Sequence, residues 1–191
     1  MSEEPQFFYS FRPRLMAPSH DFQLSKESLD WQIGPRTGRV AYPMIRRIRL
    51  GYKPTNMAAA RFIAEIWPIN AGKLSLSSVT ARSIIDIAPQ NKEYSGFLRE
   101  LHRRIAAAKG DCVFEAGFPS WRWWPAFGVA LAAFAGVAYV VLQTLAGGQY
   151  LFAGIAAFIG AWFLWQIWHI VMRNRPRRYT ADAIPDDVLP K

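Results

Sequence analysis

Residues 123 to 172 read WWPAFGVALAAFAGVAYVVLQTLAGGQYLFAGIAAFIGAWFLWQIWHIVM, fifty positions without one Asp, Glu, Lys or Arg. The only interruption is Leu145-Ala146-Gly147-Gly148-Gln149, a glycine turn between two apolar halves. A hydrocarbon slab about 30 Å thick is crossed by about 20 helical residues, and each half supplies that length. The stretch predicts a membrane hairpin with transmembrane helices over residues 121–145 and 150–172 and a turn at 146–149. In the first half Phe127, Val129, Leu131, Phe134, Val137 and Val140 each favour insertion by roughly 0.3 to 0.6 kcal/mol near the bilayer centre, and no charge opposes them.

The charges lie outside this stretch. Of the 23 Lys and Arg residues, 17 precede Ser120; Arg122, Arg173, Arg175, Arg177, Arg178 and Lys191 complete the set, and the connection at Gly147-Gly148 has none. Positive charge confined to one side of a hairpin predicts that the front of the chain and its tail are cytoplasmic, with the turn on the opposite face. The expected location is the bacterial inner (cytoplasmic) membrane, multi-pass, with N- and C-termini cytoplasmic. Met1 to Pro5 is acidic and no apolar h-region follows, which predicts no cleavable signal peptide. The single cysteine, Cys112, excludes an intramolecular disulfide and fits a reducing compartment, where it would act as a small half-buried filler.

Within the hairpin, Gly128, Ala132 and Gly136 recur every fourth residue, as do Ala153, Ala157 and Ala161 beside Ala156 and Gly160. Such ladders let helix backbones approach closely, either arm against arm or against another subunit. Trp121, Trp123 and Trp124 at the entrance and Trp162, Trp165 and Trp168 near the exit are expected to act as membrane-interface anchors. The second trio, spaced by three, also forms a stripe able to pack on a pigment, a quinone or a neighbouring helix. His169 is the one titratable group close to the bilayer, a conceivable haem or chlorophyll ligand but a solitary one, so no metal or cofactor is expected.

The front of the chain divides into an N-terminal segment, residues 1–20, and a domain over residues 21–118. Its apolar residues mostly alternate: Phe22 and Leu24, then Leu29, Trp31 and Ile33, then Val40 and Tyr42, then Ile63, Ile66 and Trp67, then Leu74 and Leu76. Period two marks half-buried strands, and Ser25 to Ser28, Gly34 to Gly38 and Asn70 to Lys73 supply the turns of an antiparallel meander. Lys53 to Met57 reads as a looser connection, and Met44 to Tyr52 as a segment holding a bulge or a helical turn. After Pro89 the period becomes helical, with Tyr94, Phe97, Leu98, Leu101, His102 and Ile105 on one face and Arg99, Arg103 and Arg104 outside. Asn91 and Gly110 are the expected caps. The tail, residues 173–191, is broken by prolines, but Ile184, Val188 and Leu189 give it apolar surface to dock on the front domain or on a partner.

Short antiparallel strands followed by one C-terminal helix resemble the pleckstrin-homology-like (PH-like) fold, in particular the bacterial PH-like domains joined to membrane helices. Leu29-Asp30-Trp31-Gln32-Ile33-Gly34, Val40 to Arg49 and the helix with Tyr94, Phe97, Leu98 and Leu101 carry the resemblance, over roughly residues 8 to 115. It implies an α+β chain: an antiparallel β-sandwich or barrel closed by one C-terminal helix, serving binding or scaffolding without catalysis. The phosphoinositide-binding pattern of eukaryotic members cannot be matched residue by residue and is not carried over.

The basic residues Arg46, Arg47, Arg49 and Lys53, with Arg36 and Arg39 nearby, are candidates for anionic-lipid or partner contact, each contributing about 1 kcal/mol near an anionic leaflet. Equally, they could form a solvated strand face. No phosphate loop, cysteine pair, His-Glu zinc motif or nucleophile elbow is present, and no groove-reading helix accompanies the charge, so neither catalysis nor nucleic-acid binding is expected. The reading is a non-enzymatic accessory or assembly subunit of a larger inner-membrane complex, with membrane lipids and other membrane-protein subunits as partners. The rivals are an anionic-lipid sensor and a pigment- or haem-contacting subunit.

Overall fold

The computed structural model describes residues 7–55, 59–82 and 87–190. The chain is mixed α+β and forms two units, residues 1–117 with 177–191 and residues 118–176. In the first, β1 (Phe7–Phe11), β2 (His20–Leu24), β3 (Ser28–Ile33) and β4 (Arg36–Ala41) make a four-stranded antiparallel meander. The period-two pattern turns Phe22, Leu24, Leu29 and Val40 inward. Strand β1, which the alternation from Asp21 onward does not include, buries Tyr9 and Phe11 and pairs Phe7 with Leu24. Gly34, at φ 59, takes the left-handed turn between β3 and β4.

Of the alternatives foreseen for Met44 to Tyr52, the bulge falls within the segment, between Ile45 and Arg47, whereas a 3-10 turn at Tyr42–Met44 leads into it. The turn and the bulge lead into β5 (Ile45–Thr55), which pairs antiparallel with β6 (Ala59–Pro68), itself paired with β7 (Leu74–Ser77). The connection expected at Lys53 to Met57 is strand as far as Thr55; Asn56 and Met57 lie outside the described residues. A small ladder of β8 (Val79–Ala81) and β9 (Ile87–Pro89) precedes α1 (Asn91–Ala107).

Helix α1 buries the stripe its spacing predicts: Tyr94, Phe97, Leu98, Leu101, His102 and Ile105. Its ends differ from expectation. Gln90, not Asn91, occupies the N-cap position and makes no side-chain cap bond, and the positive φ after the helix belongs to Lys109. Gly110 has a steric reason instead, because a Cβ there would stand 2.9 Å from the Pro43 Cα. Arg104 is not on a solvated face either; it donates to the Ser25 carbonyl at 2.7 Å and to the Glu100 carboxylate at 2.6 Å.

Helix α1 does not end the unit. After it, β10 (Val113–Ala116) pairs parallel with β5, and β11 (Arg177–Arg178), from beyond the apolar stretch, pairs antiparallel with β10. The second sheet is thus five-stranded, in the order β11-β10-β5-β6-β7, and the sheets form no closed barrel among the described residues. The barrel expectation fails because the four- and five-stranded sheets share no strand pairing. One core contains residues from both sheets, α1 and the tail, with Val188 and Leu189 buried and Ile184 packed against them.

The second unit is a pair of helices, α2 (Ser120–Ala146) and α3 (Tyr150–Arg173), each long and apolar enough to cross a membrane. At 1.5 Å per residue they extend about 40 and about 36 Å. Little of either apolar surface is covered within the chain. Gly148, at φ 71, turns the chain between them, and the Gln149 N–H donates to the Thr144 carbonyl at 2.9 Å.

The arms do not meet through the small-residue ladder expected on α2. Gly128, Ala132 and Gly136 are exposed, and a Cβ added to either glycine would meet nothing within 4 Å. Ala130 is buried instead, and Val137 fits over Gly160, where an added Cβ would lie 2.5 Å from the Val137 Cγ1. On α3, Ala153 and Gly160 are buried whereas Ala157 is exposed. Gly160→Leu is therefore expected to separate the arms and lower the thermal midpoint of the detergent-solubilised chain, whereas Gly136→Leu leaves it nearly unchanged; equal effects would contradict this packing.

Candidate functional site

The six basic candidates fall in two places. Arg36 and Arg39 belong to β4, whereas Arg46, Arg47, Arg49 and Lys53 belong to β5. Along β5, Ile48 and Leu50 enter the core, so Arg47 and Arg49 lie on the opposite face. There the parallel pairing sets Arg49 opposite Glu115 of β10, and the Arg49 Nε donates to that carboxylate at 3.0 Å, with Arg47 3.9 Å away. Trp67, opposite Arg47 on β6, receives the Arg49 guanidinium at 5.3 Å from its ring centroid, with Arg47 and Lys73 each at 5.8 Å. Lys73 in turn donates to Glu65 at 2.9 Å.

This cation-ringed tryptophan was not legible in the sequence, because Glu115 reaches β5 only through a parallel pairing some 66 residues away. Three of the six candidates are committed within the fold: Arg47 and Arg49 to Glu115, and Arg39 to Asp30 at 2.6 Å. Burial would raise Asp30, but hydrogen bonds from Arg39, Ser25 and Ser28 outweigh it and hold its carboxyl below the ordinary range. Arg36, Arg46 and Lys53 are exposed and have no ion pair among the described residues.

A second constellation joins the tail to α1. The buried His102 has its Nδ1 2.7 Å from the Leu98 carbonyl and its Nε2 2.9 Å from the Tyr179 hydroxyl. A carbonyl only accepts, so Nδ1 carries the proton and Nε2 accepts from Tyr179. The Phe114 ring stacks on the imidazole at 4.9 Å, and the Tyr179 N–H donates to the Phe114 carbonyl at 3.2 Å. Arg177 pairs with Asp187, and the Ser95 hydroxyl donates to the Pro190 carbonyl at 2.9 Å. Burial also pushes the Cys112 thiol up to about 12, which leaves it inert as a nucleophile.

In the helical unit, Trp123 is turned inward at 7% exposure, and its indole donates to the Val171 carbonyl at 2.9 Å. That carbonyl is one of the last four of α3, which lack partners within the helix. Beside it the Phe118 N–H donates to the Asn174 carbonyl at 2.9 Å, so the two ends of the hairpin are hydrogen-bonded together. Trp121, Trp124, Trp162, Trp165 and Trp168 remain exposed, as does His169. A cleft of about 480 Å³ opens among Ser120, Trp124, Phe127, Trp168, Met172 and Arg175. Among the described residues no group of three His, Cys, Asp or Glu could hold a metal ion.

Compared with known proteins, the chain matches no family model, no curated protein and no solved structure.

His102 makes the fold pH-sensitive. Burial lowers it to about 4 from an ordinary 6.5, against the opposing hydrogen bond to Leu98. Unfolded chains protonate below about 6.5 and the folded chain only near 4, so stability is full above the first value and falls across that window, by ~3 kcal/mol in all. Between pH 7.5 and 5 the unfolding midpoint of the full chain in detergent should fall, and His102→Gln should flatten most of that slope. His20, also lowered by burial, supplies a remainder of the same sign. An unchanged slope in the variant would refute the assignment.

Proposed function

We propose that the chain is a non-enzymatic integral membrane protein, an accessory or assembly subunit of a larger bacterial inner-membrane complex. Its hairpin crosses the bilayer with both flanks cytoplasmic, and its β-rich unit is a PH-like interaction module. One observation carries this reading: the segments before and after the apolar stretch fold into a single unit, through the β10–β11 pairing and the buried Val188 and Leu189, so both hairpin ends emerge on one side. That agrees with the confinement of all 23 Lys and Arg to those flanks.

The PH-like reading is supported by the element order: four meandering strands, three more, and then α1 after the small β8–β9 ladder. The parallel β10 departs from it. Non-enzymatic binding is supported by the use of polar groups in folding contacts, since Arg49, Arg104, Asp30 and Glu100 all engage partners within the domain. The exposed apolar faces of α2 and α3 include the Gly128-Ala132-Gly136 ladder, a surface suited to another helix. Of the six basic candidates, the lipid-sensor alternative keeps Arg36, Arg46 and Lys53 without an ion pair among the described residues, and the cofactor alternative keeps the exposed His169 and the exposed Trp162, Trp165 and Trp168.

Extraction in mild detergent followed by native electrophoresis and affinity capture with mass spectrometry tests the reading. The chain is expected to migrate within a larger assembly and to capture a fixed set of membrane proteins. Migration at monomer size under every mild condition, with no reproducible companion, would contradict it.

A further inference from the structure

We infer that the cleft at the charged end of the hairpin binds one anionic phospholipid, an inference that rests on the membrane reading above. The cleft of about 480 Å³ is within the usual range for a site that holds a small molecule or part of a larger one. Its floor is a fixed aromatic cluster. The Trp123 ring is pinned by its bond to Val171, stacks on Phe127 at 5.0 Å and 13°, and meets the Trp124 ring edge-on at 5.1 Å. Phe127 also contacts Trp168, at 6.2 Å between centroids. Trp124, at 64% exposure, and Trp168 thus offer apolar ring surface to an occupant without having to be ordered first.

The rim is of opposite character. Ser120 offers a hydroxyl and Arg175 a guanidinium, exposed and without a carboxylate partner among the described residues. Residues 118–176 include Arg122, Arg173 and Arg175 and no Asp or Glu. A ligand that complements both parts needs hydrocarbon for the ring-lined floor and an anion for the rim. Free phosphate lacks the first, and a zwitterionic lipid brings its own cation beside the phosphate. An anionic glycerophospholipid supplies both: its phosphate accepts hydrogen bonds from Arg175 and Ser120, and its glycerol and upper acyl chain lie on Trp124 and Trp168. This differs from a general belt of interfacial tryptophans, which fixes depth but does not select a headgroup.

The test is native mass spectrometry of the full chain in micelles doped with equal phosphatidylglycerol and phosphatidylcholine. The wild type is expected to retain one phosphatidylglycerol under activation that strips phosphatidylcholine. Arg175→Gln should reduce that preference about tenfold, as for loss of one charge-assisted contact, and Trp168→Leu should reduce retention of the lipid. Arg99→Gln, which removes the same charge from the exposed side of α1 and outside the cleft, should leave both intact. The inference is overturned if Arg175→Gln keeps the preference, if Arg99→Gln loses it equally, or if inorganic phosphate displaces the lipid. Alkaline carbonate extraction of the same variants separates the two claims: release from the bilayer would refute the membrane reading itself, whereas retention without headgroup preference would refute the lipid site alone.

Discussion

Fifty consecutive residues without a charge impose one requirement: their side chains must be surrounded by apolar matter, and their backbone polar groups must be satisfied within the segment. Two helices meet the second part, including at their vulnerable ends. The Trp123 indole reaches the Val171 carbonyl, which α3 itself leaves open, and the Asn174 side chain adds a second donor to the Ile170 carbonyl. The first part is not met by the chain, because α2 and α3 leave most of their large side chains exposed. In the proposed function a bilayer, or a bilayer and a partner, completes the structure. The β-rich unit has no such need, since Phe22, Leu24, Ile48, Leu50 and Leu98 close its core from both sheets and α1.

The return of the tail to that core gives the hairpin its meaning. Arg177 and Arg178 extend the sheet, Tyr179 caps the buried His102, and Val188 and Leu189 fill the core. Each contact is modest, but together they make one folding unit from segments separated by the whole hairpin. Translocation of either flank alone would tear that unit apart, so the fold and the flanking arginines both favour the proposed topology.

Much of this was readable in the chain because it rests on local periodicity. The α1 stripe from Tyr94 to Ile105 and the inward Phe22, Leu24 and Leu29 follow from spacing, and the two long helices from an uncharged apolar run broken by one glycine turn. The docking of Ile184, Val188 and Leu189 was open between domain and partner, and the core decided it. What was not readable depends on pairings distant in sequence. The β10–β5 pairing brings Glu115 to Arg49, turning part of an apparent lipid-facing cluster into a folding contact. Likewise, the ladder of Gly128, Ala132 and Gly136 has the right spacing for close helix approach, yet the arms choose the notch of Gly160 for Val137, a matter of shape that spacing does not encode.

The central claim is that two helices cross a bilayer and return both flanks to one side. Its most direct test is site-specific labelling in intact cells with a membrane-impermeant thiol reagent, in chains whose only native cysteine is replaced by Cys112→Ser. Gln149→Cys, in the connection between α2 and α3, should react from outside, and Asp182→Cys, in the tail, only after permeabilisation. Reaction of the tail position in unbroken cells, or removal of the protein from membranes by salt washing, would contradict the account.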